Sequence, residues 1–140
     1  MRSAVLFTLA LFVICAGVLR ARPPVNDSFP PNYVPPGNVM YKGYCATCHG
    51  IDAKGGGPFA LMLKVPPPDL TTLAKRHGGK FPAEYVSDVL RFGPDPTILH
   101  GSAAMPVWGP IFQHFDKNDE RAVEQRIKNL CDYLASLQQE

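Results

Sequence analysis

The sequence predicts an all-α domain of three main helices and a shorter one, joined by long Gly/Pro-rich loops and packed around something larger than a side chain. Three observations carry that expectation. Val123, Ile127, Leu130, Leu134 and Leu137 recur at steps of four, three, four and three, which is one face of a helix. No stretch alternates apolar and polar residues as a half-buried strand would. The connections are also too long and too rich in glycine and proline for so small a chain to be held by its own side chains alone.

The chain begins Met1-Arg2-Ser3, followed by the sixteen-residue apolar run Ala4 to Leu19 and then Arg20, the charged start and apolar middle of a secretory signal. As a helix that run spans about 24 Å, short of the roughly 30 Å hydrocarbon core. Residues 1–21 are therefore expected to be a cleaved signal peptide, in preference to an uncleaved N-terminal anchor. Lipidation at Cys15 is disfavoured by the bulky Phe12-Val13-Ile14 before it. Of 14 basic and 12 acidic residues, Arg2 and Arg20 fall in this segment, so the remainder is near neutral. No basic stripe points to nucleic acid.

Residues 22–36, RPPVNDSFPPNYVPP, hold six prolines in fifteen positions and read as an extended, semi-rigid spacer. The domain proper is expected over residues 37–140. Asn38 is the expected cap of a first helix through Val39, Met40, Tyr41 and Tyr44. Gly55-Gly56-Gly57-Pro58 and Pro66-Pro67-Pro68 must be loop, and Asp69 then caps a short turn from Leu70 to Lys75. Phe81-Pro82 opens a helix with proline at its first position, Val86, Val89 and Leu90 on one face and Gly93 just past its end. Loop is expected from there to Pro110. Asn118 or Asp119 caps the last helix, on which Glu124 and Lys128 form an i,i+4 pair.

The chemistry lies in Tyr44-Cys45-Ala46-Thr47-Cys48-His49-Gly50. A structural zinc site needs a second ligand pair at short spacing, and outside the first segment the only other cysteine is Cys131. A thioredoxin-like dithiol needs a βαβ pattern, which is missing, and a plain disulfide leaves His49 without a role. Haem accounts for all three residues. Two thiols with two residues between them add to the two vinyl groups of one porphyrin, and the adjacent imidazole ligates the iron. Candidates for a second axial ligand are Met62, His77, His100, Met105 and His114. The stretch AAMPVWG, Ala103 to Gly109, singles out Met105, with His100 as its rival.

With these residues the sequence resembles class I c-type cytochromes, the small bacterial mono-haem group. The likeness spans roughly Gly37 to Leu137: Gly37 and Tyr41, the Cys45-to-His49 motif, Gly57-Pro58 with Leu61, Met105-Pro106, and Leu130, Tyr133 and Leu134. The resemblance implies the cytochrome c fold around one covalent haem c and its iron. It makes Cys45 and Cys48 the thioether anchors, His49 the proximal ligand and Met105 the distal one. It also implies a close crossing of the first and last helices at Gly37 and Tyr41 against Leu130 and Tyr133. The Pro58 carbonyl would accept the other imidazole proton, with Pro66 as a substitute.

A His/Met pair leaves iron no open position. The expected function is thus a one-electron carrier, not an enzyme, in a periplasmic or other extracytoplasmic redox chain, monomeric, soluble or membrane-tethered, with transient redox partner proteins. The rival readings are a cytochrome subunit of an oxidase or dehydrogenase complex and a haem-based ligand sensor. Ala46, Thr47, Ala103 and Ala104 are the expected small residues of a docking rim. Met40 and Met62 read as core or haem-edge packing, His77 and His114 as solvated, and Cys131 as a buried small hydrophobe. Trp108 lines the pocket or bonds a propionate, and Arg91 neutralises one or is a surface residue.

Overall fold

The computed structural model describes residues 33–94 and 104–139, all within the compact unit Pro31–Glu140. The expected signal, all of the spacer before residue 33, His100 and Ala103 lie outside the described residues. Helix α1 (Gly37–Met40) runs into a π-helical turn (Tyr41–Cys45) and then α2 (Ala46–His49). Two 3₁₀ turns follow, Ala60–Met62 and Leu70–Thr72, the second leading into α3 (Leu73–Arg76). The rest is α4 (Ala83–Phe92), α5 (Trp108–Phe115) and α6 (Glu120–Ser136), with no strand among the described residues.

Several local expectations are corrected. Asn38 does not cap α1: Pro36 holds that position with ψ 154°, and its carbonyl accepts from the Val39 and Met40 amides. Pro82 is the residue before α4 instead of its first member, while Gly93, at φ 89°, ends the helix as expected. The stretch expected as loop to Pro110 contains the start of α5, and Pro110 sits in its first turn, where a missing N–H removes no helical bond. Asp119, not Asn118, caps α6 by accepting from the Arg121 amide. Glu124 does not pair with Lys128, which binds Asp132 at 2.6 Å, while Glu124 reaches Arg91 at 4.0 Å.

The apolar stripe of α6 is the backbone of the core, with Val123, Ile127, Leu130 and Leu134 all buried. Helix α1 crosses it at Gly37, where a Cβ would stand 2.0 Å from the Asn129 carbonyl oxygen. The Tyr41 ring lies 5.3 Å from that of Tyr133, so the expected crossing of first and last helices is present. Gly109 permits a second close crossing, its would-be Cβ only 2.4 Å from the Arg91 carbonyl oxygen. A buried ion pair joins α5 to α6: Arg126 Nε and Nη2 donate to the two Asp116 carboxylate oxygens at 2.7 and 2.8 Å. The same guanidinium lies 5.8 Å from the Phe112 ring centroid and 3.9 Å from Met40 Sδ, drawing α1 into the joint.

Candidate cofactor pocket

The Cys45–His49 motif sits where the π-helical turn returns to α-helix, a local widening often found at functional positions. The buried Tyr41 hydroxyl donates to the Gly50 carbonyl at 2.7 Å, pinning the far end of the motif to its start. The glycine-rich loop then turns back and satisfies the helix end. Gly55, Gly57 and Phe59 amides donate to the carbonyls of His49, Cys48 and Thr47 at 2.7, 3.0 and 3.0 Å. Gly57 must be glycine for this, because a Cβ there would come within 2.4 Å of the Thr47 oxygen.

Beside the motif lies an apolar cavity of about 170 Å³, open to the surface at its mouth. Close-packed interiors leave voids scarcely larger than a water molecule, so this space is built for an occupant. Cys45, Cys48 and His49 line it together with Leu63, Val65 and the Pro66–Pro68 run. Tyr85, Val86, Val89 and Leu90 of α4, Met105, Pro106 and Trp108, and Leu130 and Leu134 of α6 are also in the lining. Of the second-ligand candidates among the described residues, Met105 is in the lining and Met62, His77 and His114 are not. Met62 is 77% exposed, against its expected packing role. His77 is exposed, with Nδ1 at 2.8 Å from the Leu73 carbonyl oxygen. Met40 is core, on the Arg126 side.

His49 meets the chemical needs of a ligand. Burial holds its pKa below the usual imidazole value, partly offset by its bond to Pro68, which keeps the ring neutral at neutral pH. Its Nδ1 lies 3.4 Å from the Pro68 carbonyl, which can only accept, so the proton is on Nδ1 and Nε2 keeps its lone pair. The acceptor is therefore Pro68, neither Pro58 nor Pro66. The carbonyls near the motif's end are already engaged by the Gly55, Gly57 and Phe59 amides. Burial, reinforced by Cys48, pushes the Cys45 thiol up to about 12, the reverse of the depressed value that a redox-active thiolate requires. Among the described residues, no group of three or more His, Cys, Asp or Glu side chains could hold a metal ion on its own.

A family model described as "Cytochrome C oxidase, cbb3-type, subunit III" matches residues 33–125. The chain belongs to that family of c-type cytochromes. No curated protein and no solved structure matches it. The cytochrome's cofactor is covalently bound haem c with its iron, and its work is electron transfer. The walls of this cytochrome's cavity fit that group: a pair of thiols for attachment, a neutral imidazole and a thioether as donors, and otherwise apolar contact. Trp108 is in the lining, buried, and its ring lies 5.5 Å from Phe112. Arg91 pairs with Glu120 and Glu124, bridging α4 to α6. Cys131 is buried as expected. The residues that sequence reasoning missed are Pro68 and Tyr41's hydroxyl. Only the proline run ahead of the Asp69 cap signalled the first.

Proposed function

We propose that the cytochrome is a mono-haem one-electron carrier outside the cytoplasmic membrane, with Cys45 and Cys48 as thioether anchors and His49 and Met105 as the axial ligands. The observation that carries this reading is that one apolar cavity is lined by both thiols, by the neutral His49 ring and by Met105. When bound, the haem iron supplies reversible one-electron chemistry, its potential set by its axial ligands and their surroundings. The chain's own residues orient and insulate: Pro68 fixes the His49 ring, while Leu63, Val65, Val86 and Leu90 keep water from the donors. The sequence offers one Cys-x-x-Cys-His, hence one haem. Export is supported by the pattern of the first twenty-one residues. No helix among the described residues is long and apolar enough to cross a membrane.

The reading is tested on the purified holoprotein. Its mass should include one covalently attached haem, and the ferric form should show the weak long-wavelength band of sulfur ligation. Met105→Ala should abolish that band and His100→Ala should keep it; a Met105→Ala spectrum like wild type would exclude Met105 as ligand.

A second reading, favoured by the description of the matching family, is a cytochrome subunit held in an oxidase complex. Co-purification with a catalytic partner through a high-salt wash supports it over a free carrier.

A further inference from the structure

Gln138, just beyond the end of α6, uses its whole side-chain amide on hydrogen bonds. Its Oε1 accepts from the Ala74 amide at 2.8 Å, and its Nε2 donates to the Leu70 and Leu134 carbonyls at 2.9 and 2.7 Å. The Gln139 amide adds a bond to the Thr71 carbonyl at 2.9 Å. The last residues of the domain thus grip the turn that directly follows Pro66–Pro68. From below, the Leu70 amide donates to the Ala53 carbonyl at 2.8 Å, and Gly55 packs where a Cβ would stand 2.2 Å from the Pro67 oxygen. The Asp69 side chain accepts from the Thr71 amide at 2.8 Å. The prolines themselves donate no backbone bonds, so, apart from the His49 bond, the Pro68 carbonyl is placed by the residues on either side of the run.

We propose that Gln138 is a positioning residue for the His49 ring: by tying Leu70 and Ala74 to the end of α6 it fixes the Pro68 carbonyl that accepts from His49 Nδ1. The inference rests on the reading of His49 as an iron ligand. A stronger bond at Nδ1 makes the imidazole a better donor and favours the ferric state. Loosening the grip therefore weakens that bond and raises the midpoint potential.

The test uses the holoprotein and two readouts, the midpoint potential and the solvent-exchange rate of the His49 Nδ1 proton, followed in ¹⁵N-histidine-labelled ferric protein by NMR. Gln138→Leu should shift the potential upward and speed exchange of that proton, with the sulfur-ligation band retained. Gln138→Glu keeps an acceptor for the Ala74 amide but loses both donors; it should move both readouts the same way and serves if the leucine variant does not fold. Asp116→Asn, which weakens the fold at the α5–α6 joint away from Pro68, should leave both readouts at wild-type values. Unchanged potential and exchange in a folded Gln138 variant overturn the proposal, as does an equal shift in Asp116→Asn. Absence of a hyperfine-shifted histidine N–H in the wild type would instead refute the ligand reading itself.

Discussion

A methyl group at Gly37 would stand 2.0 Å from a backbone oxygen and 2.8 Å from Tyr133 Cβ, and neither neighbour is a flexible side-chain tip. Gly37→Ala must therefore push α1 away from α6. Overpacking of this kind costs about 1–3 kcal/mol, and denaturant unfolding of the holoprotein should show at least that loss. Gly37 was legible in the sequence through the family resemblance, which pairs a small residue and an aromatic on the first helix with the last helix at a close crossing. The acceptor for His49 was not. Pro58 stands close to the motif in sequence, but the amides around it are committed to capping α2, and the chain must travel ten residues further before a carbonyl is presented to the ring. Sequence distance is a poor guide to contacts made by an irregular loop.

The elements are held by two side-chain devices that helix periodicity does not reveal. The first is the Arg126–Asp116 pair, whose side chains are only 9% and 10% exposed. Hydrogen bonding to Asp116 holds the guanidinium's pKa above its ordinary value. Asp116→Asn or Arg126→Met leaves one buried group unmatched, and either should cost about 3–5 kcal/mol. The double variant should lose less than the sum of the two, as a double-mutant cycle by chemical denaturation would show. The second is the Asp69 cap. Its carboxyl is held below the usual carboxylate range, first by hydrogen bonding to Thr71 and further by Lys54 and Arg76. A depressed folded-state pKa contributes stability that is fully present above the unfolded value and is lost as pH falls through the folded one. Asp69→Ala should therefore cost about 1 kcal/mol at neutral pH, with the difference from wild type vanishing at strongly acidic pH in parallel unfolding titrations. At this scale α4 and α6 were plain from their apolar stripes. Helix α5 was hidden because Gly109 and Pro110 read as a break, although the first turn of a helix tolerates proline and a close crossing wanted the glycine.

Across the whole molecule, charge is uneven. From Lys54 to Lys80 the chain carries five basic residues against Asp69 alone. That same span exposes Phe59, Leu61 and Met62 at 53%, 96% and 77%, at and just before a 3₁₀ turn tied to α2 through the Phe59–Thr47 bond. An apolar centre within a basic span would suit a redox protein with an acidic rim, alongside the small-residue rim expected from Ala46, Thr47, Ala103 and Ala104. Leu61→Ser/Met62→Ser should slow second-order electron transfer with an acidic partner while leaving the spectrum intact, and Lys54→Glu/Lys64→Glu should also flatten the fall of that rate with rising ionic strength. Equal rates in all variants by stopped flow would remove this face from the encounter. The fold class could be anticipated because a chain with too little regular structure needs an occupant to pack against. The exposed apolar turn could not, since exposure is a property of the folded loop.

The Pro66–Pro68 wall has one more effect. Three successive residues without N–H groups, wedged against Gly55, give the cavity peptide dipoles that have little freedom to rotate. When charge arrives or leaves, few of the surrounding groups must reorient. The reorganisation energy should be correspondingly low, which the dependence of the electron-exchange rate on driving force would show.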